Sequence, residues 1–173
     1  NLEVLARLLQ EEGGGPLPRL RVKDEWLADR SRILREVESM VDAAGFLPPG
    51  GVPKVLWADA ENYAFAMEFV AGDAWKSELM AGRVDLQVAA RVGEMLGAFV
   101  SATWARPAYR EKYGDQHAFD QLRIDPYYRT IARRHPDVAP FVGRLIEESA
   151  SRRVSLVHGD WSPKNILVSG RRV

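Results

Sequence analysis

Cysteine is absent from all 173 residues, so neither a disulfide framework nor a thiolate metal site is open to this chain. A reducing compartment suits such a composition, and the expected location is cytoplasmic. The three histidines, His117, His135 and His158, are too scattered to mark a His-ligand cluster. No apolar run approaches the roughly 20 residues of a membrane-spanning helix, and the first residues carry no charged-then-apolar signal pattern. An excess of either charge is missing too. Lys+Arg at 24 balance Asp+Glu at 24, which removes the electrostatic footprint of a nucleic-acid or membrane-surface binder, and neither is expected as a partner. What is present is an ordinary globular composition, 46% hydrophobic and 28% charged. A chain of this length buries about 70% of its unfolded surface, enough for one domain or two small lobes.

Periodicity divides the chain into a mixed first part and a mainly helical second. Leu2, Leu5, Leu8 and Leu9 share a helical stripe that Gly13, Gly14, Gly15, Pro16 and Pro18 end. "RLRVK" fits a short strand or irregular chain. A helix capped by Asp24 follows, with Trp26, Leu27, Ile33, Leu34, Val37, Met40 and Val41 as its apolar positions and Gly45 as its stop. "KVLWADAENYAFAMEFV" reads as a hairpin around a turn at residues 59–62. "DAWKSELMAG" predicts a short helix ending at Gly82. The next stretch predicts a long one that buries Val88, Val92, Met95, Leu96, Phe99 and Val100. Helices continue to Arg153, with interruptions expected at Pro126, Pro136 and Pro140, before the chain returns to short strands.

The closing stretch, "VSLVHGDWSPKNILVSG", concentrates the chemistry. Val154 to Val157 and Ile166 to Val168 are rich in β-formers and predict a hairpin from whose end His158 to Asn165 project. Loops held by rigid elements are where reactive side chains gather. Phosphoryl transfer needs a carboxylate to orient and accept the proton of an attacking hydroxyl, and oxygen ligands for the Mg²⁺ that neutralises the phosphates. Asp160 and Asn165, five positions apart, supply one of each from a single loop. The plainer alternative is that both residues only cap a turn, for which either type is well suited. On this reading His158 orients the loop through its ring nitrogens, and Lys164 is solvated.

His158, Gly159 and Asp160, with Asn165 five residues after the Asp, resemble the pattern of the aminoglycoside phosphotransferase and choline kinase superfamily, whose small-molecule kinases carry His-Gly-Asp where protein kinases carry His-Arg-Asp. The resemblance implies an α+β, protein-kinase-like two-lobed fold, with a small mixed α/β N-lobe over 1–70 and a mainly helical C-lobe over 71–173. It implies an ATP-dependent, Mg²⁺-dependent transfer of the γ-phosphate to a small-molecule hydroxyl such as that of an aminoglycoside, choline or a sugar. By the same resemblance Glu36 would hold the phosphate-binding Lys, with a solvated charge paired to Arg32 or Arg35 as the alternative. Met67 would line the adenine pocket, the Glu68 carbonyl would accept from the adenine amine, and the Val70 amide would donate to the ring. Trp75, Tyr127 and Tyr128 could line an acceptor pocket, although aromatic residues in helices are more often core.

Three parts of the pattern are not evident. No glycine-rich loop lies between two strands, since Gly13 to Gly15 follow a helix. The strand Lys has only Lys23 as a fallback, and a second metal-binding Asp does not follow "NILV" before Val173. The start at Asn1 and the expected bare strand at residues 168–173 suggest that the sequence is part of a longer product. Two other readings stay open: a kinase-fold nucleotide-binding or regulatory protein without turnover, and a helical interaction module with an Arg-rich face around Arg129 to Arg134.

Overall fold

The computed structural model describes residues 28–170 and residue 173. The expected N-terminal helix, the glycine cluster, the "RLRVK" strand, Lys23, the Asp24 cap, Trp26 and Leu27 lie outside those residues. The first described helix, α1 (Arg32–Ala44), starts later than the periodicity suggests. Ahead of it, the Asp29 carboxylate accepts from the Ser31 amide at 2.8 Å. Ile33, Leu34, Val37 and Met40 are half-buried as expected. Val41, counted among the apolar positions, instead faces outward, because α1 packs mainly on one hairpin and leaves the rest of its circumference uncovered.

That hairpin is the one expected: β1 (Val55–Asp59) and β2 (Ala64–Met67) run antiparallel, with Trp57 opposite Ala66 and Asp59 opposite Ala64. Its turn forms because the Asp59 carboxylate accepts from the amides of Glu61 and Asn62 and from the Asn62 side chain. Such local bonding is what suits Asp to turns. β3 (Asp73–Ala74) leads directly into α2 (Trp75–Met80), which stops before Gly82 in the left-handed region at φ +74°. Asp85 then caps α3 (Leu86–Thr103), accepting from the Gln87 amide at 2.8 Å.

Beyond α3 come α4 (Pro107–Tyr113) and α5 (His117–Phe119). A ten-residue π-helix follows over Asp120–Arg129, then α6 (Thr130–Arg134) and α7 (Ala139–Ser151). The expected interruption at Pro126 does not occur as a break. Proline removes an N–H and crowds the preceding turn of an α-helix, and the chain absorbs this by widening into the π form. The Arg129 guanidinium, in two bonds to Asp120 at 2.6 and 2.7 Å, spans the widened segment. Pro140 does not interrupt a helix either. It sits in the first turn of α7, where the missing N–H has no intrahelical role. Only Pro136 marks a real break, between α6 and α7.

The expected hairpin around the closing loop is not formed. Residues 152–157 are not in a strand, and after a 3₁₀ turn at Pro163–Asn165 the strand β4 (Leu167–Val168) pairs antiparallel with β3. Val168, where the expected bare strand begins, is paired here: Asp73 lies opposite Val168 and Ala74 opposite Leu167. Burial decides the pairing. Ile166 and Val168 are buried with Val88 and Val92 of α3, and Trp75, Trp161 and Val173 pack against that cluster. Pairing with β3 keeps both residues on α3. Gly72 permits the approach, because a Cβ there would meet the Val168 carbonyl oxygen at 3.0 Å.

A second packing centre ties α1 to the helical part through rings: Phe46 meets Phe99 edge-on at 5.8 Å, and Tyr109 meets Phe46 at 6.4 Å. Beside it, Asp42 of α1 accepts from Lys112 at 2.8 Å and from the Tyr113 hydroxyl at 2.7 Å. Burial alone would raise the Asp42 pKa. The Lys112 and Tyr113 bonds outweigh it and hold the carboxyl below the ordinary Asp value. Tyr113 titrates above its ordinary value, through desolvation and the same bond. A depressed carboxyl stabilises the fold above its unfolded pKa of about 3.9 and loses that contribution as pH falls through the folded value. The stability gap between wild type and Asp42→Asn, on the order of 1 kcal/mol for such a part-exposed charged bond, is therefore expected at neutral pH and to shrink as the pH falls. Urea melts at pH 7 and pH 3 measure it.

Thr103, the last residue of α3, is 1% exposed. Its Oγ1 lies 3.2 Å from the carbonyls of Phe99 and Val100 and accepts from the Leu156 amide at 3.1 Å. It thus fastens the segment that leads into the closing loop. Thr103→Val keeps the shape but orphans the Leu156 N–H, an expected loss of about 1–3 kcal/mol in chemical denaturation. Thr103→Ser should retain most of the stability.

Candidate functional site

Residues 158–165 form a compact polar loop between the Thr103-anchored segment and β4. Gly159 sits at φ +78°, a left-handed conformation that favours glycine. This accounts for a glycine between His158 and Asp160 in conformational terms: the nearest atom to an added Cβ, Nε of Arg123, would lie at an ordinary 3.7 Å. Pro163 then opens the 3₁₀ turn that brings Asn165 back over Asp160. The Asn165 side-chain N–H₂ donates to the Asp160 carbonyl at 2.9 Å, and the Asn165 amide to the Ser162 carbonyl at 2.9 Å. With its nitrogen committed, the Asn165 side chain has Oδ1 as the atom left to act as a ligand.

The Asp160 carboxylate is surrounded by donors. Lys164 Nζ lies 2.8 Å from Oδ2, the Ser162 hydroxyl donates to Oδ1 at 3.3 Å, and Arg123 Nη2 stands 3.9 Å from Oδ2. Lys164, donating to the carboxylate, holds the Asp160 pKa below the ordinary Asp value against slight desolvation. The group is an anion at neutral pH. Lys164 is therefore not the merely solvated cation expected from the sequence: the turn at Pro163 folds it onto the carboxylate four residues before it.

His158 contacts the loop through one ring nitrogen. Its Nδ1 accepts from the Asp160 amide at 3.3 Å, and its ring meets Trp161 edge-on at 5.3 Å. The residue as a whole is exposed, but the ring against Trp161 is desolvated, which lowers the imidazole pKa while the Asp160 carboxylate pulls it upward. Accepting at Nδ1 fits the neutral ring with its proton on Nε2. Glu36 is exposed on α1. Among the described residues Glu36 has no ion pair with Arg32 or Arg35; Arg35 lies instead 3.6 Å from Glu38.

Met67, Glu68 and Val70 lie at the far end of β2 and beyond it, apart from this cluster. Met67 is half exposed and the neighbouring Phe69 93% exposed. The Glu68 amide donates to the Lys54 carbonyl at 2.9 Å, whereas the Glu68 carbonyl and the Val70 amide have no hydrogen-bond partner among the described residues. A few residues past Val70 the chain meets the exit of the loop: β3 pairs with β4, and Trp75 donates its amide to the Ile166 carbonyl at 2.8 Å. The open backbone edge and the polar loop therefore share one framework. Tyr127 and Tyr128, expected in a helical core, are instead exposed, and Trp75 is half-buried against the α3 cluster.

Two features of the site lie outside what the sequence reading found. Lys164 was in view within the motif but misassigned. Arg123, 36 residues before Gly159, carries no local signal at all. A cavity of about 890 Å³ between α1, α4 and residues 152–157 stops at Val157, so the Asp160 and Asn165 side chains do not line it. Among the described residues no three His, Asp or Glu side chains gather as a metal centre, and no helix is long and apolar enough to cross a membrane. For Mg²⁺ the donor chemistry would fit in part: Asn165 Oδ1 would offer one hard oxygen, with phosphate oxygens and water the usual remainder beside a carboxylate.

The sequence model of the phosphotransferase enzyme family matches residues 6–173. No curated protein matches the chain, and no solved structure does.

Proposed function

This chain belongs to the phosphotransferase enzyme family, and we propose that it takes the γ-phosphate of ATP to a hydroxyl of a small molecule. The observation that carries the reading is the closing loop. Asp160 is ionised, held by Lys164 and Ser162 and tied through its own carbonyl to Asn165. In this reading Asp160 receives the acceptor hydroxyl and takes its proton, while neutral His158 holds the Asp160 amide and so the direction of the loop. Asn165 would hold Mg²⁺ through Oδ1, and that ion supplies neutralisation of phosphate charge when bound. Phosphoryl transfer passes through a loose transition state in most analyses, so positioning counts for more than base strength, and a depressed carboxyl pKa suits the task.

The nucleotide side of the proposal rests on the chain after β2. Among the described residues the Glu68 carbonyl and Val70 amide are an acceptor and a donor without a hydrogen-bond partner, two residues apart, the complement of an adenine edge, with Met67 beside them. Glu36 is proposed as the partner of a phosphate-binding Lys. A two-lobed, kinase-like arrangement, with residues 1–70 as the N-lobe and 71–173 as the C-lobe, is part of the same reading, as is a cytoplasmic location where ATP is abundant. An acceptor screen on the full-length gene product, read by coupled ADP release with aminoglycosides, choline-like alcohols and sugars, tests it. Mg²⁺-dependent ADP release that requires one of these alcohols is expected. ATP binding with no product from any acceptor class would favour the non-catalytic kinase-fold alternative.

A further inference from the structure

We infer that Arg123 is a positioning residue that sets the geometry of the closing loop from outside the motif. It rests on the reading of Asp160 as the proton acceptor. Arg123 lies in the π-helix, where it is one-quarter exposed, and its guanidinium reaches three acceptors. Nε donates to the Gly159 carbonyl at 2.6 Å, Nη1 to the Leu122 carbonyl at 2.9 Å, and Nη2 faces Asp160 Oδ2 at 3.9 Å.

Each contact has a physical reason. The Leu122 carbonyl accepts from Nη1 at 2.9 Å, which fixes the guanidinium plane at its base. The planar fork then presents its remaining donors in a set direction. Nε falls on the carbonyl of Gly159, the residue in the left-handed conformation. Glycine has the widest backbone freedom of any residue, so a bond to its carbonyl removes motion at the point where the loop is least constrained by its own side chains. The outward Nη2 adds a second cation on the Oδ2 side of Asp160, opposite the bond from Ser162. The π-helix thus acts as a bracket, and Arg123 and Gly159 form one device that aims the Asp160 carboxylate.

The test uses the full-length protein with Arg123→Ala and Arg123→Lys. Hydrogen exchange read by mass spectrometry is expected to rise at least several-fold in peptides covering residues 158–165 of Arg123→Ala, while peptides of α1 and α3 stay as in wild type. With an acceptor in hand, kcat should fall about 10–100-fold, the scale of a misplacement of around 1 Å, with KM for ATP within twofold. Added guanidinium should restore part of that kcat to Arg123→Ala and none to wild type. Arg123→Lys, which keeps the charge but not the planar fork, should lie between, and it carries the test if the Ala variant does not fold. Unchanged loop exchange in a folded variant overturns the inference whatever the activity. Faster loop exchange together with full turnover in Asp160→Asn would leave the bracket standing and remove the proposed base instead.

Discussion

Asp160→Asn is expected to lower turnover by about 10²–10⁴-fold, the usual contribution of a positioned general base, with little change in KM for ATP. The substitution preserves size and the Ser162 contact but ends proton acceptance, and it leaves the Lys164 ammonium facing a neutral amide in place of the carboxylate it meets at 2.8 Å. The loop itself should persist, because Asn165 bonds the backbone carbonyl of residue 160 and His158 its amide. Coupled ADP release at saturating acceptor measures the effect. Turnover within tenfold of wild type would show that the carboxylate is not the acceptor of the proton, and the phosphotransferase chemistry would need another group.

Phe99→Ala carries the largest expected effect on stability. Phe99 is 6% exposed and is the α3 ring against which Phe46 packs at 5.8 Å. Truncation removes the transfer free energy of the ring and leaves a cavity between α3 and the segment after α1, at a cost of about 3–5 kcal/mol. For a chain of this size each kcal/mol shifts the melting midpoint by roughly 2–4 °C, so a drop on the order of 10 °C is expected by circular dichroism. Val84→Ala is the matching control: Val84 is exposed, and substitutions at such positions usually stay within about 0.5 kcal/mol. Equal losses at both sites would mean that Phe99 is not a packing centre.

Local rules made much of the chain legible. The Asp59 turn and its hairpin, the end of α2 before Gly82 and the burial of Val88, Val92 and Phe99 on α3 all follow from residue spacing and turn chemistry. So does the association of His158, Asp160 and Asn165, because six to eight consecutive residues with a proline-opened turn leave few ways to fold. Pairings were less legible. β-rich runs on either side of the loop suggested a hairpin, but a strand's partner depends on which buried surface it can share. Ile166 and Val168 go to α3, which puts β4 beside β3.

By itself, the sequence determined the groups of the candidate site: a carboxylate and an amide on one short loop, with glycine where the backbone turns left-handed. Tertiary structure alone decided what surrounds that carboxylate. Lys164 folds onto it through the 3₁₀ turn, and Arg123 arrives from a π-helix 36 residues earlier in the chain. The physical reason is range. Turn formation and helix periodicity act over a few residues, whereas an ion pair or a shared apolar surface forms wherever packing brings two segments within about 4 Å, at a sequence separation that no local pattern encodes.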